Sequence, residues 1–361
     1  MVEKRSYNYG IALLRLVAMY MVVTIHVMGE GGAIIYATGI GYSLSKLIET
    51  FTYCAVDCYA LISGYVCYRD ENENYRYSKY LTVWVQVFTY SFGIALIYSI
   101  ISGNMSVMEL VKAALPVTTS KYWYFSAYTG LFFIMPWLNR FVASLTDKQS
   151  NQMMIVLFAV FSCYTTISKL IGDGFVLMGG YSFVWLAILY VAGAWMKKNG
   201  VAEKLSPKMW FVIMLGMTVF SWGWRMIVPA GYGNFLFFTY LSPTVIGISM
   251  CLVSIFATMR VTPKLHKSIK IVSPAAFGVY IIHSHWIVWA NFIVGRFEWV
   301  SQYGGVFTPL LLLAASFAVF AVCLVTELVR LGLFKVLGVQ KLIEKLQTVI
   351  DKIINKTMAM V

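Results

Sequence analysis

Charge is what this 361-residue chain lacks: only 12% of its residues are Asp, Glu, Lys or Arg, against 60% hydrophobic ones. Soluble domains carry about 25% charged and 45–50% apolar residues. The deficit excludes an ordinary soluble domain and places the chain in a lipid bilayer. Acidic residues are the scarcer sign, 15 against 28 basic ones, for a formal net charge of +13. There is no C-x-x-C pair either. Cys54, Cys58, Cys67, Cys163, Cys251 and Cys323 all fall within apolar stretches, so they read as small packing residues rather than as a metal or disulfide framework. No Ser/Gly- or Pro-rich linker and no fixed-period repeat divides the sequence. Nor does an A-x-A-like cleavage site follow the first apolar stretch, which is longer than a signal-peptide core and contains Arg15. That stretch is expected to stay in the protein as a helix.

What the chain does have is apolar runs of roughly 17–25 residues, the length that crosses a bilayer. Ten candidates lie near 9–29, 44–67, 80–102, 122–143, 152–168, 181–196, 209–229, 235–259, 273–295 and 308–330, the fifth and sixth being short. The expected fold is all-α, a multi-pass membrane protein. Basic residues in short loops mark the cytoplasmic side. With the N-terminus inside, 21 of the 28 fall there, from Lys4 and Arg5 to Lys356. The other side holds Lys46, Lys112, Lys121, Lys169, Arg225 and Arg296, and Arg15 lies within the first helix. Both termini are therefore expected in the cytoplasm. The positive charge serves topology, and no nucleic-acid partner is needed to explain it.

A transmembrane domain is expected over 1–334 and an amphipathic tail over 335–361. In the tail, Leu342, Leu346, Val349 and Ile353 recur at three- and four-residue spacings, accompanied by Lys341, Lys345, Lys352 and Lys356. Such a helix lies in the inner interface beside anionic lipid, or pairs with a partner helix. Aromatic residues make up 16% of the chain. Clusters such as Tyr122-Trp123-Tyr124-Phe125 belong to the interfacial belt, or offer flat faces on which a sugar ring can stack.

Ionisable side chains inside apolar stretches carry the functional signal, because they are costly there unless they face the bundle interior. Arg15 and His26 are eleven residues apart, three helical turns plus about 20°, so they share one face roughly 16–17 Å apart. Glu30 follows His26 by four residues and could orient its ring. The plainer alternatives are a snorkelling Arg15 and a hydrogen-bonded interior His26. Asp57 lies mid-stretch in AVDCYALISGYV and needs a cation, a donor or a proton; it is a helix–helix contact, or it orients His26 as triad carboxylates do. In FGVYIIHSHWIV, His283 and His285 are about 200° apart on a helix. They cannot face one cavity as a metal pair, and His283 is favoured as the inward one. Glu327 is the last buried carboxylate, a candidate partner for a cytoplasmic Lys or Arg. No metal site is expected.

RLVAMYMVVTIH (15–26) resembles the R-x10-H signature of the acyltransferase-3 family of membrane acyltransferases. AVDCYALISGYV resembles that family's second-helix element, YWYFSAYTGLFFIMPWL its aromatic–proline segment, LYVAGAWMKK its F-x-x-G helix end, and YIIH at 280–283 its late histidine motif. The matches occur in the family's order over nearly the whole chain. The resemblance implies about ten membrane helices and transfer of an acyl group, usually acetyl, from cytoplasmic acyl-coenzyme A to a sugar outside the membrane. It implies that Arg15 engages the donor, with Arg69 or Arg76 nearby, and that His26 is catalytic, with Asp57 and Glu30 as its candidate partners. His283, Glu327 and Trp123 are the remaining site candidates. Three departures stand out: the basic pair after the second helix is only Arg69 and the distant Arg76, Ser284 follows the late histidine, and the terminal E-x-P reads Glu327-Leu328-Val329. With no SGNH-type esterase segment recognised, transfer is expected to finish within this domain or on a separate protein. Acetyl-CoA is the expected donor, a carbohydrate the acceptor, the plasma membrane the location, and a homo-oligomer is compatible with the sequence. The competing reading is a proton-coupled transporter of a lipid-linked sugar or small solute, with His26 and Asp57 as relay.

Overall fold

The computed structural model describes residues 7–69, 75–104 and 106–358; Lys4 and Arg5 lie outside them, as do the last three residues of the tail. About 78% of the described residues are helical, and no strand occurs among them. The helices are, in order, α1 (Tyr9–Met28), α2 (Gly39–Thr52), α3 (Ala55–Cys67), α4 (Tyr80–Ser102), α5 (Val107–Ala114), α6 (Trp123–Ser144), α7 (Asp147–Phe158) and α8 (Thr165–Ser168). They continue as α9 (Phe183–Lys198), α10 (Pro207–Ile227), α11 (Pro243–Thr258), α12 (Pro263–Val272), α13 (Ala276–His283), α14 (Trp286–Val288), α15 (Phe307–Val336) and α16 (Val339–Met358).

Local chemistry sets the ends that matter. At α1 the Asn8 side chain accepts a hydrogen bond from the Ile11 N–H at 2.9 Å, the usual N-cap contact. The helix stops at Gly29, whose N–H returns to the Ile25 carbonyl, and the chain turns away through Gly32 at φ +77°. Ser182 caps α9 by accepting from the Trp185 N–H, which fixes the first turn that carries Trp185.

α1 is the central helix, its side chains buried against α3, α11, α13 and α15. α3 and α9 are packed backbone to backbone. A Cβ at Gly64 would run into the Tyr190 carbonyl, and one at Gly193 into the Leu61 carbonyl. Small residues of this kind permit close helix contact inside membranes. The outward faces of α4, α10 and α15 expose Ile97, Ile101, Phe211, Val219, Leu310, Phe317 and Val325. So much exposed aliphatic surface fits lipid rather than water, and the protein is a membrane protein.

Five helical stretches among the described residues are long and apolar enough to cross a bilayer: Tyr9–Met28, Tyr77–Ser102, Asp147–Ser168, Pro207–Ile227 and Phe307–Val336. A sixth crossing arises if Pro263–His283 and Trp286–Tyr303, bent by 61°, count as one. The other candidates fall short for physical reasons. Stretch 44–67 breaks between α2 and α3 at Tyr53 and Cys54, α9 and α11 have 16 residues each, and α6 contains Pro136 with Asn139 and Arg140 beyond it.

Candidate functional site

A cavity opens beside α1, about 550 Å³ when the space open to its surroundings is counted. Met19, Val22 and His26 of α1 line it at three- and four-residue spacings, and Arg15 continues that stripe one turn lower. Opposite walls come from Tyr59 of α3, Trp123 and Tyr124 of α6, and Phe277 and Tyr280 of α13. Tyr181 and Tyr240 close it from the connections before α9 and α11. The rings touch in series: Trp123 and Tyr181 at 4.7 Å, then Tyr181 and Tyr240 at 5.2 Å between centroids.

The chemistry-bearing group on this wall is His26, backed by the buried His283. His26 Nδ1 lies 2.8 Å from His283 Nε2, and His283 Nδ1 lies 2.6 Å from the carbonyl of Val279 on its own helix. A carbonyl can only accept, so His283 carries its proton on Nδ1 and accepts on Nε2. His26 then carries its proton on Nδ1, an assignment made from the network. The lone pair on His26 Nε2 has no hydrogen-bond partner among the described residues. Trp289 packs edge-on against the His26 ring at 4.8 Å, and Ser284 Oγ lies 3.3 Å from His283 Nε2. The neighbouring His285 points elsewhere: its Nε2 lies 3.2 Å from the Ser91 carbonyl, and its Nδ1 accepts from the Ile287 N–H.

Asp57 is fully buried, with Oδ1 accepting from Trp185 Nε1 at 3.3 Å and Oδ2 without a partner among the described residues. The expectation that Asp57 orients His26 is corrected: an indole from α9 takes the carboxylate, and the imidazole's partner is His283. The expected Glu30–His26 contact is absent as well. α1 ends at Met28, so Glu30 does not follow His26 by a helical turn; it is exposed, and its carbonyl accepts from the Gly295 N–H.

Arg15 is half-buried, and its guanidinium has no ion pair or hydrogen bond among the described residues. The Tyr59 hydroxyl donates to its carbonyl, and its charge is within electrostatic reach of Tyr59, Cys67 and Tyr128. Of the other two arginines expected at the donor, Arg69 donates to the carbonyls of Val66 and Tyr68. Arg76 is directed away from the cavity, its Nε donating to Asp351 of the tail at 2.9 Å. Glu327 is fully buried and fully used: it accepts from Gln86, Tyr90 and Arg330 at 2.5–2.9 Å and packs against Gly278 of α13.

The structure thus brings His26 and Trp123 to one cavity on the Arg15 stripe, sets His283 behind His26 and Asp57 behind the wall, and leaves Glu30, Arg76 and Glu327 apart. Trp185, Trp289, Tyr181 and Tyr240 escaped the sequence reading. They are aromatic residues among many, and no local spacing ties them to His26. No group of three or more His, Cys, Asp or Glu side chains suited to a metal occurs among the described residues. A family model described as an acyltransferase domain matches residues 8–328, whereas no curated protein and no solved structure matches the chain.

Proposed function

The chain belongs to the acyltransferase-3 family, and from that premise we propose that it moves an acyl group, acetyl foremost, from cytoplasmic acyl-coenzyme A to a hydroxyl of an extracytoplasmic or lipid-linked sugar. The observation that carries this reading is the imidazole relay ending in an unpartnered His26 Nε2 on the cavity wall. A relay that fixes the tautomer leaves that nitrogen free to act as a base. It takes the proton of the acceptor hydroxyl while the hydroxyl oxygen adds to the thioester carbonyl. The carbon–sulfur bond then breaks, and the proton passes to the departing thiolate. Trapping a labelled acyl group on His26 would make the ring the nucleophile instead.

Arg15 is the cation for the donor, because a planar guanidinium without an acidic partner suits phosphate or an amide carbonyl. Its separation from His26, roughly 16–17 Å along the helix, leaves room for the extended thiol arm of coenzyme A. Arg69 is the second candidate cation for the donor, and Asp57 supports the wall through Trp185. The ring series Trp123–Tyr181–Tyr240 offers the acceptor sugar stacking faces.

The fitting arrangement is a plasma-membrane protein with ten crossings, both termini inside, one membrane domain over 1–334 and a cytoplasmic tail. Ion pairing supports the orientation. Of the six basic residues assigned outside, Lys46 and Arg225 share Glu49, and Lys112 and Lys121 share Glu109. Glu49 and Glu109 thereby offset two of those six positive charges. In intact cells an impermeant thiol reagent should label Tyr232→Cys and spare Lys204→Cys; labelling of both overturns the topology.

The decisive experiment is transfer of labelled acetyl from acetyl-coenzyme A to a sugar acceptor by the purified protein in detergent. An acyltransferase needs no gradient, whereas a transporter works only in closed vesicles. Arg15→Ala should weaken donor binding by roughly tenfold or more, with Arg15→Lys restoring part of it, since the bidentate fork is lost. Unchanged donor affinity in the alanine variant removes Arg15 from the site.

A further inference from the structure

The tail helix α16 plays no part in the reaction above, yet its side chains are sorted with care. Ile343, Gln347, Ile350 and Ile354 face the bundle, the first two buried and the others half-buried. Along that edge Gln347 Nε2 donates to Thr82 Oγ1 at 2.8 Å, and Asp351 accepts from Arg76. One residue earlier, and so about 100° around the helix, runs a second apolar row: Leu342, Leu346, Val349 and Ile353. These four are 45–60% exposed, with nothing of the protein over them. A further step of about 100° reaches Lys341, Lys345, Lys352 and Lys356, all exposed. The two acidic residues, Glu344 and Asp351, lie roughly opposite the apolar row.

A helix fastened along one edge therefore presents an unpartnered apolar row bordered on its free side by positive charge alone. A bilayer surface has this layout, acyl chains beside anionic phosphates, and the placement of charge next to apolar surface is complementary. We infer that α16 is a strap seated in the cytoplasmic leaflet, with Leu342, Leu346, Val349 and Ile353 at the acyl boundary and the four lysines on anionic phospholipid headgroups. The leaflet rests on the orientation proposed above; the seating itself does not. Through Arg76–Asp351 and Thr82–Gln347 the strap ties the start of α4 to the membrane surface.

Spin labels at Val349→Cys and, as a water-facing control, Asn355→Cys test this in the full-length protein with Cys67 and Cys163 replaced by Ala. The protein is placed in nanodiscs of phosphatidylcholine alone or with one third phosphatidylglycerol. With phosphatidylglycerol present, the Val349 label should be reached by oxygen and shielded from a nickel chelate, and the Asn355 label should stay open to nickel. Added salt should weaken the shielding. Replacing the four lysines by Gln should remove the preference for the anionic discs, by about fivefold for each lysine. Equal nickel access at the two positions in anionic discs overturns the inference, as does shielding unchanged in the Gln variant. Dipolar broadening between labels on two copies assigns the row to a second chain, and overturns it too.

Discussion

Two carboxylates lie fully buried among the described residues, and their surroundings differ. Glu327 on α15 has three partners, Gln86, Tyr90 and Arg330, which engage both of its oxygens. Asp57 on α3 has one, the Trp185 indole, and its second oxygen is left without any among the described residues. A saturated carboxylate is a structural tie, and this one pins α4 to α15 and packs against Gly278 at the base of α13. An unsaturated one is expensive to keep in the interior. That expense is borne behind the cavity wall, next to the aromatic rings and the histidine pair. One corner is built for cohesion, and the other keeps polar capacity in reserve.

The comparison can be broken by experiment, starting with the largest expected effect. His26→Ala should lower acyl transfer by roughly 10²–10⁴-fold, the loss for a positioned acid–base group, while the melting temperature in detergent stays put. Initial rates with labelled donor measure the first and a thermal-shift assay the second; a folded variant with near-normal rates ends the assignment. Glu327→Ala should do the reverse. Removing one member of a buried ion pair costs about 3–5 kcal/mol, so the variant should melt much earlier, and its surviving folded fraction should still bind donor. A Glu327→Ala protein that melts normally but transfers nothing would move Glu327 into the reaction. Asp57→Asn is the mildest: it retains an acceptor for Trp185, and stability should shift by no more than about 1 kcal/mol. Its rate should fall by less than about tenfold, since Asp57 does not touch His26. A loss as deep as that of His26→Ala would restore the carboxylate to the chemistry.

What the sequence disclosed followed from helical geometry. The shared face of Arg15 and His26 needs only 3.6 residues per turn, and the same geometry kept His283 and His285 from being read as one pair. What it concealed depends on where helices stop and on distant partners. Glu30 looked like a neighbour of His26 because an apolar run does not reveal that α1 unwinds at Gly29. Asp57 looked like a partner for His26 because its true partner, Trp185, lies 128 residues away. The contact of α3 with α9 through Gly64 and Gly193 brings the indole there. The breaks at Tyr53–Cys54 and Ser284–His285 are hidden in the same way, since each falls inside an unbroken apolar stretch.

The break after His283 has an electrical consequence. The helical run Pro263–His283 ends there, and the chain bends by 61° before Trp286. A helix that stops close to a cavity leaves the negative end of its backbone dipole there, even though the N–H groups of Ser284 and His285 return to the carbonyls of Tyr280 and Ile282. That pole lies next to the His26–His283 pair. When His26 takes a proton from an acceptor, the new positive charge meets a negative potential set by the fold, worth about 0.3–1 kcal/mol and up to about 2 kcal/mol in partly buried settings. The bend thus gives a low-dielectric interior a fixed counter-potential without placing a second ionised side chain beside the ring.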